Sequence, residues 1–262
     1  MIRIGLISSS FSGFSPQDVL KFAAETGFEG VEWAAETHLL PGDKAAAQAL
    51  MMDTLLARLA IVSYAALYRV CPGQESGLGF QSLLDTATIL QSPIIRIYAG
   101  RSASGKDHEG RERLLEELRR LGDLAAARGI TICLSFARGT ALEEYASARS
   151  LLSELGHPFL RLAWEALPGA KSEEASATIG EFAASTSLLI ARKTDSQGRG
   201  APLSKEAEVW GRRVEAFRSG ETEPKMSRFV LLGRVGEGDE ERLRVDADFL
   251  RGLVKPNNPP HC

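Results

Sequence analysis

The sequence predicts a closed (β/α)8 barrel, in which eight parallel strands alternate with eight helices. Three observations carry that expectation. Short apolar runs rich in Ile, Leu and Val alternate along the chain with longer segments of helical periodicity. The 262 residues, 44% of them hydrophobic, suit one barrel of about 250 residues. In residues 130–140, the bulky Ile130, Ile132, Leu134 and Phe136 alternate with the smaller Thr131, Cys133, Ser135 and Ala137. Successive side chains of a strand point to opposite faces. The bulky face of this strand is therefore expected under the helices and the small face inside the barrel, with Ser135 and Ala137 nearest the mouth. An open doubly wound sheet is the competing arrangement. Residues 8–14, after the first strand, hold a single glycine, so its dinucleotide-binding form lacks the G-x-G-x-x-G turn.

Strand one covers residues 2–7, and Ser15 followed by Pro16 is the cap and first-turn pair that opens a helix, which Gly27 ends. Strand two, 29–33, is followed by the loop A-A-E-T-H-L-L-P-G and an alanine-rich helix from Asp43 to about residue 59. Strand three is 60–67. A loop with Pro72, Gly73, Gly77 and Gly79 leads to a helix over 80–90, and Pro93 introduces strand four, I-I-R-I-Y. Next comes a polar loop, A-G-R-S-A-S-G-K-D-H-E-G, holding His108. Leu114, Leu115, Leu118, Leu121 and Leu124 then mark one face of a long amphipathic helix, which Gly129 stops before strand five. The remaining rhythm is helix 143–155, strand 159–164, helix 172–184, strand 188–192, helix 204–218, strand 228–232 and helix 240–254. One domain over residues 1–255 is expected, and the tail P-N-N-P-P-H-C, 256–262, is expected to be disordered.

A formal net charge of -3, with basic residues spread among acidic ones, leaves no electrostatic footprint for nucleic acid. Met1 runs directly into an apolar strand with no basic flank and long apolar region, so neither a signal peptide nor a membrane span is expected, and the location is expected to be cytoplasmic. Cys71, Cys133 and Cys262 are odd in number and lack metal-type spacing, and Cys133 lies in a strand core. A Walker loop, H-E-x-x-H and G-x-S-x-G are all missing.

The pieces G-F-E-G-V-E-W, H-L-L-P-G-D, S-Y-A-A-L-Y-R, I-R-I-Y-A-G-R, G-I-T-I-C-L-S-F-A-R-G-T and A-P-L-S-K-E-A-E-V-W follow one another over nearly the whole chain. In that order and spacing the chain resembles the sugar phosphate isomerase/epimerase group of xylose-isomerase-like TIM barrels. The resemblance implies a divalent metal in the barrel mouth, held by carboxylates and a histidine, that polarises a carbonyl and a hydroxyl while acids and bases move a proton. Carried over residue by residue, the strand-five glutamate falls on Ser135 and the histidine two residues later on Ala137. The strand-seven histidine falls on Ile190 and the strand-eight glutamate on Gly233. Only Glu165, after strand six, keeps a ligand-type side chain. A one-residue register slip restores nothing, because no Asp, Glu or His lies within two positions of Ser135, Ile190 or Gly233. A lone carboxylate holds a divalent cation weakly, so no metal and no other cofactor is expected.

In the register the resemblance implies, Glu32, Arg96, Glu165 and Arg192 point inward near the mouth, with Tyr98 nearby and Arg69 and Arg101 on flanking loops. Arg192, on the same strand face as Ile190, is expected to give Glu165 the positive partner that a buried carboxylate needs. A purely structural ion pair accounts for the same residues. Arg69, Arg96, Tyr98, Arg101 and Arg192 are the candidate ligand-binding side chains, since arginine forks suit carboxylates and phosphates; simple solvation is the alternative for Arg69 and Arg101. Glu165 is the candidate base, with Glu32 or His38 as acid. His38 sits in a barrel loop of the kind that carries function, and it reads equally well as packing beside Pro41. Lys193 falls on the opposite face from Arg192, His157 in a helix-to-strand turn, and Trp33, Trp164 and Trp210 in core positions. Three functions stay open. The expected one is a non-metal, non-catalytic binder of a small sugar-like or anionic ligand at the mouth. The second is a metal-independent sugar isomerase/epimerase in which Glu165 moves the proton and Arg96 and Arg192 stabilise an enediolate. The third is a structural or interaction protein.

Overall fold

The structure is a computed structural model that describes residues 1–70, 79–100, 108–167, 169–192, 201–220, 227–233 and 240–255. The strands are β1 (Ile2–Ile7), β2 (Gly30–Ala34), β3 (Ala60–Arg69), β4 (Ile94–Tyr98), β5 (Thr131–Ser135), β6 (Leu160–Trp164), β7 (Thr186–Ala191) and β8 (Arg228–Leu232). The helices are α1 (Pro16–Thr26), α2 (Lys44–Leu56), α3 (Phe80–Leu90), α4 (His108–Ala126), α5 (Tyr145–Leu155), α6 (Ser172–Phe182), α7 (Ala207–Ser219) and α8 (Glu240–Val254). Each strand pairs in parallel with the next, and β8 returns to β1 with Ile2 opposite Arg228 and Leu6 opposite Leu232. The barrel is closed, as expected.

Side-chain alternation divides the core in two. Ile132 and Leu134 of β5 join Trp33, Tyr64, Trp164 and Trp210 in the layer between sheet and helices. Cys133 faces inward, where it packs with Ile94, Ala163, Leu188 and Leu231. The two faces of β5 are thus divided as its bulky and small residues predict. All three tryptophans are buried, and Trp33 Nε1 donates to Thr54 Oγ1 at 3.2 Å. Ser15 opens α1 by a reciprocal capping box: its hydroxyl accepts from the Asp18 amide while the Asp18 carboxylate accepts from the Ser15 amide.

Several boundaries differ from the sequence expectation. α2 stops at Leu56 because Arg58 takes a left-handed conformation, φ 57°, and the Arg58 and Leu59 amides turn back to the carbonyls of Leu55 and Thr54. His108 is the first residue of α4 rather than part of a loop. α6 ends at Phe182, and its last turn tightens into a 3-10 turn over Ala183–Ser185. β3 extends to Arg69 and β7 begins at Thr186, both earlier or later than apolar patterning marks, because strand ends are set by pairing across the sheet. A 3-10 turn, Leu203–Glu206, precedes α7. No helix of the described residues is long and apolar enough to cross a membrane. Cys71, Pro72, Gly73, Gly77, Cys262 and the tail 256–262 lie outside the described residues.

Candidate functional site

The carboxyl ends of the strands bring together Glu32 of β2, Ser63 of β3, Arg96 of β4 and Ser135 of β5, with Glu165 and Arg192 one residue past β6 and β7. Glu32 is completely buried. Arg96 grips it with two bonds, Nε to Oε2 at 2.8 Å and Nη2 to Oε1 at 2.6 Å, while the Ser63 hydroxyl donates to Oε2 at 2.6 Å. A register shift makes the second contact: Val31 faces Ile61 but Glu32 faces Ser63, so one extra residue in β3 turns Ser63 toward the carboxylate. The third arginine nitrogen, Nη1, donates to Ser135 Oγ at 3.0 Å. Burial works against charge on Arg96, but the attraction and hydrogen bonds of Glu32, helped by Tyr98 and Glu165, outweigh it and hold the guanidinium above its usual range.

The second pair is looser. Arg192 Nε stands 3.6 Å from Glu165 Oε1, and the two side chains are 35% and 28% exposed. That separation is a Coulombic contact rather than a hydrogen bond, and Arg192 Nε has no hydrogen-bond partner among the described residues. The same atom fills space over β8: a Cβ placed on Gly233 would lie 3.1 Å from Arg192 Nε and 3.1 Å from Ile7 Cδ1. Glycine at 233 leaves room for the arginine, which a larger residue there would push aside.

The other candidates lie elsewhere. Arg69 is exposed, donates to the Gly139 carbonyl at 3.4 Å and holds its guanidinium carbon 5.7 Å from the centre of the Tyr98 ring. Tyr98, half-buried at the end of β4, is thus the link between Arg69 and the mouth. Arg101 and Lys193 lie outside the described residues. His38 does not join Glu165. Its Nδ1 meets Ser8 Oγ at 3.1 Å and its ring packs edge-on against Trp33, a residue of the outer layer, with centres 5.7 Å apart. Ser8 Oγ also accepts from the Ala34 amide at 2.9 Å, tying the loop after β2 to the end of β1.

Burial lowers the His38 pKa from 6.5, with the backbone of Phe14 and Phe11 pulling the other way. A histidine whose folded pKa is depressed binds more protons when unfolded, so its stabilising contribution is present above 6.5 and is lost as the pH falls below that value. Wild type is therefore expected to lose more thermal stability between about pH 7 and about pH 5.5 than His38→Gln does. Parallel curves for the two proteins would show that His38 is not the group responsible.

Among the described residues, no group of three or more His, Cys, Asp or Glu side chains is placed to hold a metal ion. Ser63 was not foreseen from the sequence, because a one-residue bulge leaves no mark in the apolar pattern. The Ser135 contact was not foreseen either, although its position facing the mouth was.

Eight parallel strands closed on themselves, with Glu32, Arg96, Glu165 and Arg192 toward their carboxyl ends, define a β/α barrel with a candidate site at the mouth. Residues 20–166 match the family model described as xylose isomerase-like TIM barrel, and the chain belongs to that family. Among solved structures, it is similar to the probable 3-DHS dehydratase AsbF involved in petrobactin synthesis from Bacillus anthracis, at 17% identity and TM-score 0.75 over 95% of this chain and 98% of that one. It is also similar to the IolI protein with a bound zinc atom, at 11% identity and TM-score 0.72 over 96% and 98% of the two chains. L-ribulose 3-epimerase follows at 14% identity and TM-score 0.72, over 97% and 94%. No curated protein sequence matches the chain. Identities this low carry the fold alone, and the chemistry must be argued from the side chains.

Proposed function

We propose that the protein binds a small sugar-like or anionic ligand at the barrel mouth through Arg96 and Arg192, without a divalent metal and without turnover. One observation carries the reading: guanidinium groups stand where the family resemblance puts metal ligands. Arg96 Nη1 reaches Ser135 Oγ at 3.0 Å, and Arg192 Nε lies 3.1 Å from a Cβ built on Gly233. Two cations in that space repel a third. Glu32 is already taken, its two oxygens accepting three hydrogen bonds, which among the described mouth residues leaves Glu165 for coordination. This donor set does not fit a divalent ion that needs several oxygen or nitrogen ligands. Arg192 is partly exposed and, among the described residues, meets Glu165 at 3.6 Å without a hydrogen bond, so it can turn toward a ligand oxygen.

The test begins with metal content after dialysis against excess Mn2+ and then buffer, read by elemental mass spectrometry. Metal well below one ion per chain is expected, and near-stoichiometric retention would overturn the metal-free reading. Sugar phosphates and sugar acids are expected to raise the melting temperature with concentration as mass action requires, and Arg192→Met is expected to weaken that response.

The geometry of Glu165 favours one other reading. Among the described residues it is partly exposed and not held by a hydrogen bond, so it is able to move a proton in a metal-independent isomerase, with Arg96 and Arg192 stabilising an enediolate. Proton exchange at the carbon next to the carbonyl of a ketose would establish that reading, and loss of the exchange in Glu165→Gln would assign the base.

A further inference from the structure

The opposite end of the barrel, where the strands begin, holds two buried arginines that no carboxylate meets among the described residues. Arg161, the second residue of β6, is 9% exposed. Its Nε donates to Ser187 Oγ at 2.7 Å and its Nη2 to the Ala184 carbonyl, while Nη1 has no partner among the described residues. Arg228, 8% exposed, donates to the carbonyls of Ala183, Thr186, Phe217 and Gly220 and lies over the Phe217 ring. Burial pushes both guanidinium groups below their usual range, Arg228 to about 10 with a further push from Arg161. Arg228 is solvated by its four carbonyls, whereas Arg161, beside that second cation, keeps one guanidinium nitrogen unpartnered among the described residues, which favours an anion nearby.

Arg161 opens on a cleft of about 320 Å3. Leu152, Leu155 and Leu160 give its lining apolar side chains, and Arg161, Ser185 and His157 give it polar ones. The carboxylate that meets this lining, Asp123 against His157, is already engaged. Phe159 donates its amide to His157 Nδ1 at 3.1 Å, so the ring proton sits on Nε2, which faces Asp123 Oδ1 at 3.2 Å, and Asp123 is itself 80% exposed. The carbonyls of Glu154 and Leu155, at the negative end of α5, receive Arg119 at 2.6 and 3.5 Å. Neither leaves a counter-charge for Arg161 among the described residues.

We propose that this cleft is a second ligand site, separate from the mouth, that takes a small organic carboxylate with an apolar body. The carboxylate lies against Arg161 and Ser185, and the apolar part against Leu152, Leu155 and Leu160. A bare inorganic anion uses the cation but gains nothing from the apolar side chains, and a neutral molecule does the reverse. The site is independent of the reading proposed for the mouth.

Benzoate, titrated by calorimetry and by thermal shift at constant ionic strength, is the probe. Benzoate is expected to bind and to raise the melting temperature as its concentration rises, with inorganic phosphate and benzyl alcohol both giving smaller shifts. Arg161→Met, which keeps the length of the stem and removes the charge, should weaken benzoate by about tenfold or more. Ser185→Glu, at a half-buried position, supplies the missing carboxylate from the protein itself. It should raise the melting temperature without ligand and abolish the benzoate response, whereas Ser185→Gln should not stabilise. Arg161→Met should leave the melting-temperature response to sugar phosphates and sugar acids as in wild type, which keeps this site distinct from the mouth. A shift from benzyl alcohol or phosphate equal to that from benzoate would overturn the proposal. So would wild-type benzoate affinity in both Arg161→Met and Ser185→Glu.

Discussion

Arg96→Met is expected to destabilise the protein by about 3–5 kcal/mol, the cost of leaving one member of a buried ion pair without its partner. Glu32 has no exposure to water, and Arg96 supplies two of the three hydrogen bonds it accepts. Removing the guanidinium leaves a carboxylate held by Ser63 alone, on the axis side of a closed sheet. Urea unfolding of the variant against wild type measures the loss. The double variant Glu32→Leu, Arg96→Met should recover most of it, because an apolar pair of similar volume needs no solvation. A loss below about 1 kcal/mol in the single variant, the range of a surface pair, would show that water reaches Glu32 and that the pair is not sealed inside the mouth.

Gly220→Ala is expected to cost about 3 kcal/mol, at the upper end for forcing a methyl group into a filled space. A Cβ on Gly220 would lie 2.6 Å from Ala183 Cβ and closer still to the Ala183 carbonyl. That carbonyl and the one on Gly220 both accept from Arg228, so separating the two chains to make room also loosens the arginine that ties α7 to the start of β7 and β8. Thermal unfolding checks it, with Gly211→Ala as a control at a helical position where a Cβ meets nothing within 4 Å. Equal melting temperatures for the two variants would mean that the segment after α7 shifts freely and that Arg228 does not hold it.

The strand alternation in residues 130–136 was enough to assign the two faces of β5, because a period of two in side-chain size maps directly onto inside and outside in a closed sheet. The capping pair Ser15 and Pro16 likewise located the start of α1. The helix ends were less legible. α2 looks helical past Leu56 in composition, yet Arg58 turns left-handed there, since the chain must reverse to enter β3. His108 opens α4 although its neighbours in sequence read as loop.

At the mouth, the identities of Glu32, Arg96, Glu165 and Arg192 were readable as inward-facing charges, but not which would pair tightly. The bulge that turns Ser63 to Glu32 and the bidentate geometry of Arg96 make one pair sealed, while Arg192 and Glu165 remain 3.6 Å apart and partly open. His38, which sequence alone placed equally well in the site or in packing, is held by Ser8 and Trp33.

What the amino-acid sequence determined by itself is the barrel and its strand order, because these follow from local periodicity. Only the tertiary structure decided which charges meet, that Arg192 fills the space over Gly233, and that Arg161 and Arg228 are buried together at the far end of the barrel. Those relations join residues on different strands, and their distances depend on register, bulges and closure of the sheet, none of which a single strand encodes.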